Sequence, residues 1–488
     1  MPDLILAIDQ GTTSSRAVLL DARSRVVAAH NVAFTNYFPS PGRVEHDAEE
    51  IWASVAASVR EVLREIDPSR IAAIGLTNQR ETSVFWDRKT GVPAHRALVW
   101  QDRRTADRCE VLRAAGWEDT VRRRTGLVLD PYFSGTKAEW VLQNVPGVQA
   151  DAEAGRLCFG TIDSFLVARL CGAHVTDASN ASRTLLYDLH THTWDAELCA
   201  LLGVPAACLP TVVENAGVVG HTRGVGFLPD GIPIAGLAGD QQSALFGQAC
   251  FARGMAKCTY GTGAFVLMNT GPVAPVSANG LLTTVGWRLA GHTTYALEGS
   301  AFIAGAAIQW LRDGLGFFSS SAEVETLAAS VADSGEVSFV PALAGLGAPH
   351  WRPDARGLLC GLTRGTTKAH IARAVLEGVA LQITDILSAM GADAGAPLAE
   401  LRVDGGAARN NLMMQFQSDV LGVACVRPTN LETTAMGAAY LAGIGVGFWP
   451  STDAVSAAWA EDRRFTPSMP AAEVTSRLAR WTAAVERA

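Results

Sequence analysis

One pattern occurs in both halves of this chain and limits the available folds more than any other feature. Residues 4–8 are apolar, residues 9–15 form a polar turn containing Gly11, Thr12, Thr13 and Ser14, and residues 16–20 return as a second apolar run. Residues 26–30 supply a third. The arrangement recurs later, with residues 256–260 as one run, Gly261-Thr262-Gly263 as the tip, and residues 264–268 returning. Residues 281–287 and 292–297 follow as a further pair. A polar, glycine-bearing tip between short apolar runs marks a β-hairpin. Each half then turns helical. Residues 49–65 place Ile51, Trp52, Val55, Val59, Val62 and Leu63 on one face, and Ser300 is expected to cap a run carrying Phe302, Ile303, Ile308, Trp310 and Leu311. Two hairpin-led α/β halves predict a duplicated fold with a cleft between the copies. The boundary is expected near residues 247–253, giving domains 1–247 and 248–488.

Composition agrees with two globular domains. At 488 residues the chain exceeds one hydrophobic core. A net charge of −8 argues against binding nucleic acid by broad phosphate neutralisation. Any anionic ligand must be held by local groups. The nine cysteines contain no C-x-x-C pair, which excludes a zinc ribbon and suits a reducing cytosol. The opening apolar run stops at Asp9 without a basic leader, so it reads as a strand and not a signal peptide. Residues 258–287 and 433–452 carry no charge, but Gly, Pro, Asn and Thr break the first, and the second holds many small and polar residues and a Pro. They read as buried elements of a soluble protein rather than membrane spans.

The tips are candidate phosphate sites. None of the four lysines (Lys89, Lys137, Lys257 and Lys368) follows a glycine, so a Walker A loop is absent. Protein-kinase catalytic-loop signatures are absent too. Consecutive backbone N–H groups and hydroxyls at residues 11–14 offer an anion cradle without a cationic side chain. Gly261-Thr262-Gly263 offers a second. Asp9 is placed to position a magnesium ion through water, and Arg16 to reach a phosphate as a forked donor. Residues 403–408, V-D-G-G-A-A, read as a strand end and glycine turn before a helix near Arg409-Asn410, with Leu412, Met413, Phe416 and Val420 on its apolar stripe. Glycines there would let backbone lie flat against a base or phosphate. Gly305 and Gln309 share a helix face.

Together, D-Q-G-T-T-S-S-R (9–16), Y-G-T-G-A-F (260–265) and D-G-G-A-A-R-N (404–410) resemble the two phosphate motifs and the adenosine motif of the actin/hexokinase/Hsp70 ATPase superfamily. Within it the chain resembles the FGGY carbohydrate kinases, on their glycerol branch, from residue 4 to about residue 449. G-L-T-N-Q-R-E-T (75–82) and D-P-Y-F-S-G-T-K (130–137) are among the supporting segments.

The resemblance implies two ribonuclease-H-like domains around an active-site cleft, and ATP with magnesium as phosphoryl donor. Thr12, Thr13, Ser14, Arg16, Thr262, Gly305, Gln309, Gly406 and Asn410 are expected on the nucleotide. Arg80, Glu81, Tyr132, Asp240 and Gln241 are expected to hydrogen-bond glycerol, between Trp100 and Phe265 as apolar walls. Asp240 is expected to act as general base, yielding sn-glycerol 3-phosphate. A cytoplasmic homo-oligomer, dimer or tetramer, is also implied.

Some family members are inhibited by fructose 1,6-bisphosphate through a Gly-Thr-Arg loop. This chain has Pro229-Asp230-Gly231 there, with an acid in place of the cation. Two other readings compete: a kinase for a longer sugar such as xylulose or gluconate, and an actin-like assembly or chaperone ATPase. Neither accounts for the small-triol set.

Overall fold

In the computed structural model, which describes residues 2–488, two sheets repeat one topology. The first contains β1 (Leu4–Gln10), β2 (Ser14–Asp21), β3 (Val26–Ala33), β4 (Ile71–Asn78), β5 (Ala216–His221) and β6 (Pro233–Gly239), in the order β5-β6-β4-β1-β2-β3. The second contains β7 (Met255–Tyr260), β8 (Ala264–Gly271), β9 (Leu282–Leu289), β10 (His292–Ala301), β11 (Glu400–Asp404), β12 (Cys425–Pro428) and β13 (Glu461–Phe465). Its order is β9-β10-β8-β7-β11-β12-β13. Strands β3-β2-β1-β4-β6 and β10-β8-β7-β11-β12 match in sense: two antiparallel pairings are followed by two parallel ones. The duplication read from two hairpins therefore extends through whole sheets.

Local chemistry explains the helices. In α1 (Ala48–Val62), Asp47 accepts the Glu49 N–H at 2.9 Å, and Ile51, Val55, Val59 and Val62 bury against the first sheet. α2 (Asp240–Gly247) begins directly after β6. The expected cap at Ser300 is not formed. Ser300 is still paired across the ladder with Phe265, which keeps it extended, so the helix opens only at Gly305 as α3 (Gly305–Asp313). Phe302 consequently falls in the connection and is 45% exposed. α4 (Lys368–Ala394) is long and apolar enough to cross a membrane, but 83% of its apolar window is buried inside the fold. It covers the second sheet, with Val375, Val379, Ile383 and Ile386 packed in one cluster with Val266 and Leu297. α5 (Asn411–Leu421) follows the glycine turn and is capped by Asn410, whose Oδ1 accepts the Met413 N–H at 2.9 Å.

The halves are joined by exchange. α6 (Thr433–Gly445) comes from the second half yet lies on β1, β4 and β6, while α2 leans on β7, β8 and β9. The two helices cross at glycine. A Cβ on Gly437 would sit 1.8 Å from the Ser243 carbonyl oxygen, and one on Gly247 would sit 1.9 Å from that of Thr433. The seam is apolar, with Ile5, Ala7 and Val18 in one cluster with Phe246, Leu267, Trp287, Ala296 and Tyr440.

Candidate active site

The end of β4 and the start of α2 bring the first charged groups together. Arg80 is 2% exposed, and its Nη1 and Nη2 donate to Glu298 at 2.5 and 3.0 Å. Its Nε lies 3.2 Å from Asp240 Oδ1, its Nη1 donates to Gln242 at 3.2 Å, and its Nη2 reaches the Tyr132 hydroxyl at 3.4 Å. Gly239 makes room for this, because a Cβ there would stand 2.7 Å from the Arg80 side chain. Glu81 follows with φ +61° in a three-residue turn closed by the Thr82 N–H on the Arg80 carbonyl at 2.7 Å. A side-chain-bearing residue rarely adopts that backbone state, and such strain concentrates at functional sites. Glu81 Oε1 accepts from Arg183 Nε at 2.6 Å, and Arg183 Nη2 donates to Glu298 at 3.0 Å. Two arginines and two glutamates thus form a closed, buried ring. Arg80–Glu81 is not a surface ion pair.

Electrostatics separate these carboxylates. Burial pushes Glu298 up, but Arg183 and Arg80 outweigh it and hold the acid at about 2. Burial raises Glu81 despite both arginines. Burial also raises Asp240, opposed by Arg80, Lys257 and the Gln241 N–H. Asp240 keeps 28% side-chain exposure, whereas Glu81 and Glu298 keep 1% and 2%. Asp240 is the first residue of α2 and bonds its neighbour's N–H at 2.7 Å; Gly239 holds the cap position. Asp240 therefore remains the accessible acceptor of the group.

Aromatic side chains join this group through Tyr132, whose hydroxyl bonds Arg80. Trp100 and Tyr132 meet edge to face, 5.5 Å between ring centroids. Trp100 Nε1 donates to the Thr12 hydroxyl at 3.0 Å, linking this wall to the first hairpin tip. Lys137 clamps the Tyr132 loop by donating to the carbonyls of Pro131, Tyr132 and Phe133 at 2.6, 2.7 and 3.4 Å. Phe265 is half-buried on β8 opposite Thr259. It shares a sheet face with Thr259 and Lys257, whose ammonium bonds Gln241.

The tips differ from expectation in detail. At the first, the Gly11 N–H closes the turn on the Ser14 carbonyl at 2.9 Å. The N–H groups of Thr12 and Thr13 have no intrachain partner among the described residues, so the cradle is narrower than four consecutive donors. Ser14 already belongs to β2. At the second tip Gly261, Thr262 and Gly263 keep their N–H groups unspent, while the Gly261 and Thr262 carbonyls accept from Gly305, Ala304 and Ala306 at 2.9, 2.9 and 3.0 Å. This straps the tip to α3. Glycine is needed for closeness here: a Cβ on Gly305 would lie 2.6 Å from the Gly261 oxygen. Gln309 is exposed one turn along α3.

The third motif sits beside the second tip. Gly405 has φ +84°, and a Cβ there would lie 2.5 Å from the Tyr260 carbonyl oxygen. Gly406 is exposed with nothing near its Cβ position. Asn410 is 7% exposed, and its Nδ2 lacks a partner while its Oδ1 caps α5. Arg16 pairs with Glu432 at 2.9 Å and leaves its Nε without a partner. Asp9 is half-buried at the end of β1, and no donor among the described residues bonds its carboxylate. Loss of water, then the charges of Asp240 and Glu432, raise it to about 7 against the pull of Arg16.

The structure thus joins Arg80, Glu81, Trp100, Tyr132, Asp240, Gln241 and Thr12 through direct contacts. Gly305, Thr262 and Gly406 gather on the second half, with Gln309 and Asn410 on the adjoining helices. Glu298, Arg183, Lys137, Lys257 and Glu432 went unrecognised as site residues. Two had a usable signal: Lys257 and Glu298 are lone charges in otherwise uncharged strands.

Family models decide what this arrangement belongs to. The N-terminal domain of the FGGY family of carbohydrate kinases matches residues 4–247, and the C-terminal domain matches residues 256–446. The chain belongs to the FGGY carbohydrate kinases. It is 58% identical over 490 residues to the glycerol kinase of Myxococcus xanthus, covering 99% of each chain. To the Deinococcus radiodurans glycerol kinase it is 57% identical, covering 99% of this chain and 97% of the other. The crystal structure of Plasmodium falciparum glycerol kinase with ADP superposes with a TM-score of 0.94 at 36% identity, over 99% and 98% of the two chains. A gluconate kinase from Lactobacillus acidophilus shares the FGGY fold at a TM-score of 0.89 and 22% identity, over 99% of this chain and 97% of that one.

Proposed function

We propose that this FGGY kinase transfers the γ-phosphoryl group of ATP to a terminal hydroxyl of glycerol, giving sn-glycerol 3-phosphate. The observation that carries this reading is Asp240, an accessible carboxylate held on the buried Arg80, whose other arm reaches the Tyr132 hydroxyl beside Trp100. The glycerol kinases to which the chain is 56–58% identical support the substrate.

The proposed chemistry follows from the residues. Arg80, Glu81, Tyr132 and Gln241 orient the triol, with Trp100 and Phe265 against its carbon side. Asp240 accepts the proton of the attacking hydroxyl in line with the donor phosphate. The unspent N–H groups of the two tips, with Arg16, hold the phosphates. The free amide of Asn410 and the open backbone at Gly406 face the nucleoside, alongside Thr13, Ser14, Gly305 and Gln309. Because such transfer is loose, positioning and charge stabilisation supply most of the acceleration.

Magnesium fits the chemistry of the donor set. Asp9 is an uncommitted hard-oxygen ligand close enough to Asp240 and Glu432 to feel their charge. A hard-oxygen carboxylate of this kind suits an ion held largely by water and phosphate. Bound there, the ion would offset phosphate charge.

We read the domain division at residues 247 and 248, where α2 ends before β7. We read the location as cytoplasmic, from a cysteine pattern that suits a reducing compartment. The expected dimer or tetramer is open to light scattering. The decisive experiment is ADP release with and without glycerol, with xylulose and gluconate as alternative acceptors. Glycerol should stimulate release many-fold and give the highest kcat/KM. Equal release without an acceptor would leave an assembly or chaperone ATPase as the better reading.

A further inference from the structure

The buried lysine of β7 has no role in the proposal above, and its surroundings are unusual. Lys257 is 0% exposed, yet no carboxylate lies within ion-pairing distance of its ammonium among the described residues. A buried ammonium is costly unless its protons are satisfied. Here neutral oxygens do this: Nζ donates to Gln241 Oε1 through a short bond and to Thr259 Oγ1 at 2.9 Å.

An ammonium can only donate. The Gln241 amide must therefore turn its carbonyl oxygen to Lys257, which leaves its NH2 outward. Nε2 of Gln241 has no partner among the described residues, and the side chain is half-buried beside Asp240 at the open end of α2. Without the lysine, the amide is free to flip and present an acceptor beside the Asp240 carboxylate. A hydroxyl has one proton, and it cannot satisfy two acceptors at once. With the lysine present, one hydroxyl can donate to Asp240 and accept from Gln241.

We infer that Lys257 is a positioning residue for the acceptor substrate: it locks the Gln241 amide with its NH2 toward the polyol, so that Asp240 and Gln241 read one hydroxyl as donor and acceptor. The inference rests on Gln241 being a polyol contact, as proposed above.

A double-mutant cycle on the full-length enzyme tests it. Lys257→Met and Gln241→Ala are each expected to raise the glycerol KM by about tenfold, the loss of one hydrogen bond. The ATP KM should stay within about twofold. Combined, they should be no worse than the more damaging single change within about twofold, because both remove the same contact. Losses that multiply, or an equal fall in kcat from Lys257→Met in both backgrounds, would overturn the inference and leave the polyol site intact. An unchanged glycerol KM in Gln241→Ala would instead remove the polyol contact itself. Should Lys257→Met not fold, Thr259→Val loosens the lysine while keeping its charge. It must then raise the glycerol KM in the native background and not in Gln241→Ala, or the inference fails.

Discussion

Glu298, on β10 of the second sheet, grips Arg80 at the end of β4 of the first with hydrogen bonds of 2.5 and 3.0 Å, and both side chains are 2% exposed. This pair crosses between the halves at the floor of the acceptor site. It also connects to Arg183 and Glu81, so the charge balance of the ring depends on every member.

Removing one partner of a buried pair leaves the other uncompensated. Glu298→Ala is expected to cost about 3–5 kcal/mol of stability. The acid lies at about 2 in the folded protein against an ordinary 4.5. The stability it contributes is therefore fully present above 4.5 and is lost as pH falls through about 2. Denaturation midpoints of native protein and variant should converge on acidification and separate at neutral pH.

Asp240→Asn keeps shape and most hydrogen bonding but removes the proton acceptor. General-base catalysis contributes roughly 10²–10⁴-fold. Turnover should fall by at least about 10²-fold by that principle, with ATP affinity little changed. Stability should not fall, because Gly239 holds the cap position of α2 and the variant relieves a carboxylate raised by burial. Near-native turnover would remove Asp240 from the catalytic role.

Asp9 lies at about 7, above its ordinary 3.8, so the folded nucleotide-free protein binds more protons there than the unfolded chain between those values. Stability from this group declines as pH rises through that window. Asp9→Asn should therefore raise the thermal midpoint of the nucleotide-free protein at pH 8 more than at pH 4, while lowering magnesium-dependent turnover. An equal change in midpoint at both pH values would show that Asp9 is not held up by its surroundings.

Gly437→Ala places a methyl group 1.8 Å from the Ser243 oxygen, where α6 crosses α2. Both helices are pinned by sheets, so relief requires the halves to part. Overpacking of this kind costs typically about 1–3 kcal/mol. A lower thermal midpoint with weakened turnover is expected, read by calorimetry and the ADP assay.

Fructose 1,6-bisphosphate should inhibit weakly or not at all. Asp230 stands where a cation would be required, and its carboxylate is occupied by the Gly224 N–H at 2.6 Å. Inhibition at micromolar concentration would show that another loop binds the sugar phosphate.

Much of this was legible in one dimension. Hairpin tips at Gly11-Thr12-Thr13 and Gly261-Thr262-Gly263 carry local turn chemistry, and the strands on either side declare themselves as short apolar runs with polar punctuation. The duplicated architecture and the two phosphate cradles follow from such short-range patterns, whereas the full set of candidate nucleotide residues comes from the resemblance to the FGGY kinases. The Ser300 cap failed because β10 continues through that residue: a ladder bond from a distant strand outweighs a local capping preference. The cradle at residues 11–14 narrowed for a related reason, since the turn consumes the Gly11 N–H itself.

What only the tertiary structure decided is the electrostatic floor of the site. Arg80 and Glu81 are adjacent in sequence, but their partners Arg183 and Glu298 are remote, and no local period announces a contact between them. A charged side chain is normally solvated, so Lys257 and Glu298 acquire meaning only once folding removes water and leaves a few protein groups to replace it. The same holds for α2 and α6. Their residues dictate helices, but the exchange between halves depends on Gly247 and Gly437 each meeting backbone contributed by the other half of the chain. Turns, strands and caps are set by neighbours in sequence; buried charge and close packing are set by neighbours in space.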